Sequence, residues 1–290
     1  MLALVAVVGA VIAAAVVALT RGRDGDGRGA RDLLARSDPG PVHVHGLGIN
    51  PADGALFIAT HTGLYRVPAD AQQAARVGES RQDTMGFTVV GPSRFLGSGH
   101  PDPDAMREQN LPQNLGLIES TDGGRTWRPI SLLGEADFHV LRSRGRFVYG
   151  FDATNLRLLV SEDRGRTWSE RSRGMLIDLA VHPQRPSHLV AATEPGFGLS
   201  ENGGRTWRRL SDRVGLLAWP APTRLLLVDG AGRVHASQDF GKRWTPVGDI
   251  GGQPAAFVAE SAQELYVGLH DGTVKRSMDG GNSWEVRATP

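Results

Sequence analysis

Histidines in this chain occur at spacings that suit metal binding. His43 and His45 are two residues apart, so on a β-strand both side chains point to the same side. Three further histidines stand in the short phrases THTGLY, GSGHP and DFH. Neutral imidazole is a ligand of zinc and copper, and copper gains support if the thioether of Met85 takes part. The residue types therefore predict a zinc or copper site formed by His43, His45, His61, His100 and His139, with Asp83 beside them.

Carboxylates near these histidines suit acid–base chemistry. Glycoside hydrolysis uses two carboxyl groups on either side of the scissile bond. Asp83 with Asp137 or Asp152 supplies such a pair, although their sequence spacing adds no support. Further ligand-binding positions are expected at Met85, Asn114, Asp178, Glu194, His270 and Asp271. In a plainer interpretation, all these side chains hydrogen-bond with one another and with water in a polar channel.

One octapeptide recurs five times and indicates the elements that must position these groups. The copies read STDGGRTW, SEDRGRTW, SENGGRTW, SQDFGKRW and SMDGGNSW, and they begin at Ser120, Ser161, Ser200, Ser237 and Ser277. Successive copies are 41, 39, 37 and 40 residues apart. The Asp can accept hydrogen bonds from the N–H groups of its own turn, and the second Gly can supply a positive φ. The octapeptide predicts a hairpin turn whose Trp then packs between neighbouring sheets.

Each period between octapeptides contains about four short strand-like segments. In the last period they are AAFVAE, ELYVGLH, TVKRSMD and SWEVRA, and a first repeat without an octapeptide begins at HVHGLGIN. Periods of about 40 residues are typical of propeller blades. The sequence therefore predicts an all-β, six-bladed β-propeller over residues 42–290, with the histidine-rich face opposite the octapeptide turns. The long turn over residues 100–115 is expected to form a lid or a pocket wall, the alternative being a disordered loop.

The first 41 residues differ in composition from the repeats. Residues 1–19 carry no charged side chain, and a helix of this length can cross a bilayer core of about 30 Å. Residues 1–20 are expected to form a hydrophobic helix that is either a transmembrane anchor or a signal peptide. Residues 21–41 are rich in Gly and charge and predict a flexible linker. The propeller is expected to be membrane-anchored and extracytoplasmic, or secreted, although Arg21 and Arg23 favour the opposite orientation.

The octapeptide resembles the Asp-box, or BNR, repeat of sialidases, sortilin-type receptors and the photosystem II assembly propeller. In that family the box joins the third and fourth strands of a blade and has a structural role. Residues 43–290 are also similar to bacterial glycosylhydrolase-like Asp-box proteins in the phrases HVHGLG, THTGLY, QDTMGF, GSGHP, NLGL and DFH. This resemblance implies the propeller fold, and it implies glycoside hydrolysis as one of the expected activities. A sialidase mechanism lacks support, because the FRIP phrase is absent and Tyr65, Tyr149 and Tyr266 are expected away from the channel.

Composition narrows the function classes. The formal net charge is +1, from 32 basic and 31 acidic residues, which speaks against a nucleic-acid partner. The absence of cysteine excludes thiolate metal sites and cysteine nucleophiles. Three hypotheses remain: a tethered or exported propeller that binds a metal or ligand on its His/Asp-rich face, a glycoside hydrolase acting on surface polysaccharide, and a protein-assembly scaffold. The expected partners are a carbohydrate or small ligand, a protein, and the membrane through residues 1–20.

Overall fold

Each sequence repeat folds into one four-stranded antiparallel sheet whose strands follow one another in chain order. The computed structural model describes residues 40–290, and these contain six such sheets, which are the six blades of a β-propeller. The all-β, six-bladed prediction is confirmed. The hydrophobic helix predicted for residues 1–20 lies outside the described residues, as does the linker up to residue 39. Within residues 40–290, no helix has the length and apolar character needed to cross a membrane.

Blades 1 to 3 contain the first twelve strands. Blade 1 comprises β1 (Val44–Ile49), β2 (Leu56–Thr60), β3 (Gly63–Val67) and β4 (Ala75–Arg76). Blade 2 comprises β5 (Asp83–Gly91), β6 (Arg94–His100), β7 (Leu117–Ser120) and β8 (Arg128–Ser131), with helix α1 (Pro103–Gln109) between β6 and β7. Blade 3 comprises β9 (Phe138–Arg144), β10 (Phe147–Asp152), β11 (Arg157–Ser161) and β12 (Ser169–Arg173).

Blades 4 to 6 contain the remaining twelve strands. Blade 4 comprises β13 (Leu176–Val181), β14 (Leu189–Thr193), β15 (Gly196–Ser200) and β16 (Arg208–Ser211). Blade 5 comprises β17 (Leu216–Ala221), β18 (Arg224–Val228), β19 (Arg233–Ser237) and β20 (Thr245–Asp249). Blade 6 comprises β21 (Pro254–Ala259), β22 (Leu265–Leu269), β23 (Val274–Ser277) and β24 (Glu285–Ala288). The first strands of neighbouring blades contact one another around the ring and therefore line its centre.

The octapeptides form the turns between the third and fourth strands of blades 2 to 6. In blade 2, Ser120 Oγ donates to Asp122 Oδ1 at 2.8 Å and accepts the N–H of Gly124 at 2.8 Å. Asp122 also accepts the N–H and the hydroxyl of Thr126 at 3.0 and 2.6 Å. Gly124 has φ of +85°, and a side chain there would collide with Leu64 of blade 1. The turn is thus satisfied by its own side chains and fits closely against the preceding blade.

The octapeptide tryptophans pack between neighbouring blades, as predicted. Trp168 of blade 3 packs with buried residues of blades 2 and 3, and its Nε1–H donates to Ser131 Oγ of blade 2 at 2.9 Å. Trp207 of blade 4 repeats this contact with Ser172 Oγ of blade 3 at 3.2 Å. Each apolar cluster between adjacent blades therefore includes one octapeptide Trp, except the cluster between blades 1 and 6, which has Tyr65 and Tyr266 instead.

Blades 1 and 6 close the ring without exchanging a strand. The guanidinium of Arg287, on the outer strand of blade 6, donates to Ala71 O at 2.5 Å and to Pro68 O at 2.7 Å. A parallel bridge joins Gln73 to Thr289 beside these contacts. Within the described residues, the contacts that close the ring are therefore the apolar cluster with Tyr65 and Tyr266, the hydrogen bonds of the buried Arg287 and the backbone bridge at Thr289.

Candidate functional site

A β-bulge recurs near the start of the first strand in five of the six blades. The register against the second strand shifts by one residue at that point, and the five extra residues are His45, Met85, His139, Ile177 and Ala255. A bulge redirects a side chain relative to regular alternation. These residues are more exposed than the buried ones before them in four blades, such as Val44 before His45. In these five blades the bulge thus changes the direction of one side chain near the channel mouth, which is the end where the first strands begin.

Positions two residues before each bulge complete the ring of groups at the channel mouth. They are His43, Asp83 and Asp137 in blades 1 to 3, and Met175 and Gln253 in blades 4 and 6. The ionisable groups therefore concentrate on blades 1 to 3. On blade 4 the mouth is apolar, since Met175 is 50% exposed and Ile177 is 41% exposed.

The first triad comprises His45, His61 and Asp83. His61, in the turn after β2, contacts Asp83 Oδ2 through Nδ1 at 2.8 Å, and His45 Nε2 lies 3.5 Å from Asp83 Oδ1. One ligand atom from each residue lies within 4.8 Å of the others. Both His45 Nε2 and Asp83 Oδ1 are buried and have no hydrogen-bond partner within residues 40–290. The first triad therefore combines one formed hydrogen bond with two unpartnered atoms of types that can bind a cation.

Burial and hydrogen bonding act in opposite directions on the two histidines of the first triad. Burial lowers the pKa of His45 to about 4, even though the carboxylate of Asp83 opposes this effect. His45 is therefore neutral near pH 7, and its 3.5 Å approach to Asp83 is not an ion pair. The hydrogen bond to Asp83 raises the pKa of His61. His45 is consequently a neutral imidazole with one nitrogen lone pair, which is the form of histidine that binds metals.

The second triad comprises His100, His139 and Asp137. His139 Nε2 lies 2.8 Å from Asp137 Oδ2, and His100 Nε2 lies 3.7 Å from the same oxygen. Asp137 is 5% exposed, and its Oδ1 is buried without a hydrogen-bond partner in the described part of the chain. The second triad thus has the same composition as the first and also contains one short and one longer His–Asp separation.

The two triads arise from one relationship between neighbouring blades. His61 lies in the second–third turn of blade 1 and approaches Asp83 at the entry of blade 2. His100 begins the corresponding turn of blade 2 and approaches Asp137 at the entry of blade 3. The repeat architecture therefore places a turn histidine against the entry aspartate of the following blade.

Asp152 and Asp178 are buried and engaged in hydrogen bonds outside the two triads. Asp152 is fully buried and accepts hydrogen bonds from the Asp137 N–H at 3.2 Å, from Asn155 at 2.9 Å and from Arg157 at 2.8 Å. Asp178 accepts hydrogen bonds from Arg142 at 2.6 Å and from the N–H groups of Leu179 and Leu217. Burial raises the pKa of Asp178, and Arg142 opposes that effect. Asp178 therefore links blade 4 to blades 3 and 5, whereas Asp152 holds together parts of blade 3 alone.

The other predicted positions lie around the triads without joining them. His43 has φ of +55° and is exposed, and its ring centroid is 6.2 Å from that of His61. Met85 is the bulge residue of blade 2. The rest lie on second–third turns: Asn114 in blade 2, Glu194 in blade 4, and His270 and Asp271 in blade 6. Asp271 accepts the N–H of Thr273, so it stabilises its own turn.

Sequence reasoning missed Gln113 and Arg142. The Gln113 carbonyl lies 3.0 Å from His100 Nδ1, and Arg142 pairs with Asp178. A backbone carbonyl leaves no signal in residue types. The sequence did contain a signal for Arg142. An arginine on a predicted channel-lining strand is expected to pair with a carboxylate, and Asp178 enters the next blade.

Comparison with known proteins gives a fold likeness. No family model matches the sequence, and no curated protein matches it. A structure described as YCF48 bound to D1 peptide is similar over 86% of this chain and 83% of its own, with a TM-score of 0.53 and 14% identity. A nidogen/laminin complex is similar over 81% and 93%, with a TM-score of 0.62 and 15% identity.

A glycoside hydrolase shares the fold over part of its length. The GH74 xyloglucanase from Xanthomonas campestris matches 84% of this chain at a TM-score of 0.52 and 20% identity. This chain covers 45% of that enzyme. At these identities the likenesses support the propeller fold, and the site must be argued from its own residues.

Proposed function

We propose that this propeller binds a divalent metal ion at the first triad and that zinc is the preferred ion. The observation that carries the proposal is the pair of buried, unpartnered atoms His45 Nε2 and Asp83 Oδ1, 3.5 Å apart. An unpartnered polar atom away from water costs about 1–3 kcal/mol. A cation between the two atoms satisfies both at once.

The separation of these atoms suits zinc. Two ligands about 2.0–2.1 Å from a tetrahedral zinc ion are about 3.4 Å apart. Nitrogen and carboxylate ligands match zinc preferences, and three protein groups leave a fourth position for water or a ligand. Met85, on the neighbouring bulge, makes copper the competing ion.

Zinc titration calorimetry of the purified full-length chain tests this assignment. We expect Asp83→Asn and His45→Ala to remove one bound zinc ion per chain. His270→Ala is the matched control. His270 lies in the second–third turn of blade 6, as His61 does in blade 1, but the following blade begins with His43 instead of an aspartate. Unchanged zinc binding in both triad variants contradicts the proposal.

The location of the protein forms part of the same proposal. We infer that residues 1–20 tether or export the propeller, on the support of their uncharged composition. Protease treatment of intact cells, with a tag following Pro290, tests this inference. Digestion of the tag, or its recovery from the medium, supports it, and full protection contradicts it.

A peptide partner is a second candidate function at the same mouth. It is favoured by the exposed side chains of Met175 and Ile177 on blade 4, next to the ionisable groups of blades 1 to 3. The YCF48 structure that is similar to this chain is described as bound to D1 peptide. Replacing Ile177 with Lys is expected to abolish capture of such a partner while zinc binding continues.

The glycoside hydrolase alternative requires Asp83 and Asp137 to act on a sugar. Both carboxylates lie at the channel mouth and each has an unpartnered oxygen. Screening with plant and bacterial polysaccharides, xyloglucan included, tests it. Hydrolysis that Asp83→Asn and Asp137→Asn both abolish, and that persists after metal removal, makes this alternative the better account.

A further inference from the structure

We infer that the second triad is a separate metal site, so that the channel mouth holds two divalent ions, one bound through Asp83 and one bound through Asp137. This inference deepens the proposed metal-binding function and rests on it. It assigns His100 and Asp137 as ligands of the second ion, with His139 held beside them.

The tautomer of His100 is fixed by its surroundings. His100 Nδ1 lies 3.0 Å from the carbonyl oxygen of Gln113, which can only accept. Nδ1 therefore carries a proton, and in the neutral ring Nε2 carries a lone pair. That lone pair faces Asp137 Oδ2, itself an acceptor, at 3.7 Å. Two facing acceptors repel each other, and a proton on Nε2, a bridging water or a metal ion relieves that repulsion. We assign the metal ion.

Metal-binding histidines characteristically donate their other ring N–H to a carbonyl or carboxylate. His100 already has this second partner in the Gln113 carbonyl. The 3.7 Å separation is close to the spacing of about 3.4 Å between two ligands of one zinc ion. His100 is therefore oriented as a ligand before any ion arrives.

The inserted segment of blade 2 fixes this arrangement. Asp102 caps α1 by accepting the N–H groups of Asp104 and Ala105, and it also accepts the N–H of Arg81 at 2.7 Å. The N–H of Leu115 returns to Gly99 O at 2.9 Å. The segment is thus attached at both ends, so the carbonyl of Gln113 is held against His100.

Asp137 provides an independent indication. It is 5% exposed, yet its Oδ1 has no hydrogen-bond partner among residues 40–290. Its backbone is fixed, because its N–H donates to Asp152 and the next N–H, of Phe138, donates to Ser98 Oγ. His139 occupies only Oδ2. A buried carboxylate oxygen without a partner is costly, and a cation bound to Asp137 through Oδ1 removes that cost.

The test is the number of zinc ions bound by the full-length chain, measured by elemental mass spectrometry after equilibrium dialysis. We expect two ions in the wild type, one in Asp83→Asn, and one in each of Asp137→Asn and His100→Ala. His270→Ala, the control, is expected to retain two. Circular dichroism melting checks that each variant folds, and His100→Ala provides a partly exposed second variant if Asp137→Asn is unstable.

The outcomes separate this inference from the proposed function. One ion in the wild type, lost in Asp83→Asn and retained in His100→Ala and Asp137→Asn, overturns the second site and leaves the first. No ion in the wild type overturns both. Loss of one ion in the second-triad variants, with the other ion retained, supports the second site.

Discussion

At the residue scale, the His–Asp contacts of the channel mouth are of two kinds. His61–Asp83 and His139–Asp137 are hydrogen bonds of 2.8 Å, which orient an imidazole. His45–Asp83 and His100–Asp137, at 3.5 and 3.7 Å, leave ligand atoms facing each other without a hydrogen bond. The first kind already satisfies its atoms, and the second kind is where the proposed metal ions would bind.

Asp178 provides a prediction that separates a structural carboxylate from a ligand. Asp178→Asn is expected to lower the free energy of unfolding by about 2–4 kcal/mol, because it weakens the buried contact with Arg142. Zinc binding is expected to be unchanged. Urea denaturation and zinc titration measure the two effects. Asp271→Asn, at an exposed turn, is the control and should alter neither.

The residue types at the site were predictable, and their grouping was not. Five histidines and Asp83 were assigned to one metal cluster from the sequence, and Asp137 was assigned to catalysis. The structure divides four of the histidines and the two aspartates into two triads and leaves His43 exposed beside them. Two-residue spacing assumes regular strand alternation, and the bulges at His45 and His139 change that alternation. The contact between a turn histidine and the next blade's aspartate depends on tertiary packing.

At the element scale, the octapeptide turn was the most predictable part of the molecule. Its hydrogen bonds are local, so Ser, Asp, Gly and Trp at fixed positions were sufficient to predict the turn and the packing of the Trp. The helix α1 was not predicted. The segment 100–115 was expected to form a lid, a pocket wall or a disordered loop. Asp102 at its N-cap and Pro103 at its first position were the available signals.

Removing the turn hydroxyl should cost stability. Ser161 Oγ accepts the buried N–H of Gly165 at 2.7 Å, so Ser161→Ala leaves that N–H unpartnered. The expected loss in the free energy of unfolding is about 1–3 kcal/mol. Thr167→Ser is the matched control, since Ser283 makes the same contact to Asp279 at 2.6 Å in blade 6. Equal denaturant midpoints for the two variants would contradict this account of the turn.

Acid should weaken the turn of blade 2. Although burial opposes ionisation of Asp122, hydrogen bonds from Thr126 and Ser120 lower its pKa to about 2, from 3.8. Above pH 3.8, Asp122 is ionised in both the folded and the unfolded chain, and its hydrogen bonds stabilise the folded chain. This contribution to stability is lost as the pH falls from 3.8 toward 2, because the unfolded chain takes up the proton first. The melting temperature of the wild type should therefore approach that of Asp122→Asn over this range. A pH-independent difference between the two proteins would refute the prediction.

At the scale of the whole molecule, the ring has five similar interfaces and one different interface. Five contain an octapeptide Trp, and the closure between blades 1 and 6 contains Tyr65, Tyr266 and the buried guanidinium of Arg287. The sequence predicted six blades from the repeat period, while the mode of closure was left open because it involves residues more than 200 positions apart.

Arg287→Met is expected to destabilise closure. It removes two hydrogen bonds from a charged donor to the carbonyls of Pro68 and Ala71, with an expected loss of about 2–4 kcal/mol. Arg173→Met is the control, because Arg173 is exposed and pairs only with Glu170 among the described residues, a contact of about 0–1 kcal/mol. Hydrogen exchange should show the loss concentrated in blades 1 and 6, and a uniform loss around the ring would contradict this role.

The measurement that tests the central claim most directly is the zinc content of the purified full-length chain beside that of the His45→Ala/Asp83→Asn double variant. Both proteins are purified without chelator, loaded with zinc, dialysed and analysed by elemental mass spectrometry. We predict that the double variant folds and contains one zinc ion fewer per chain than the wild type. Equal zinc content in two folded proteins would contradict the assignment of the first triad as a metal site.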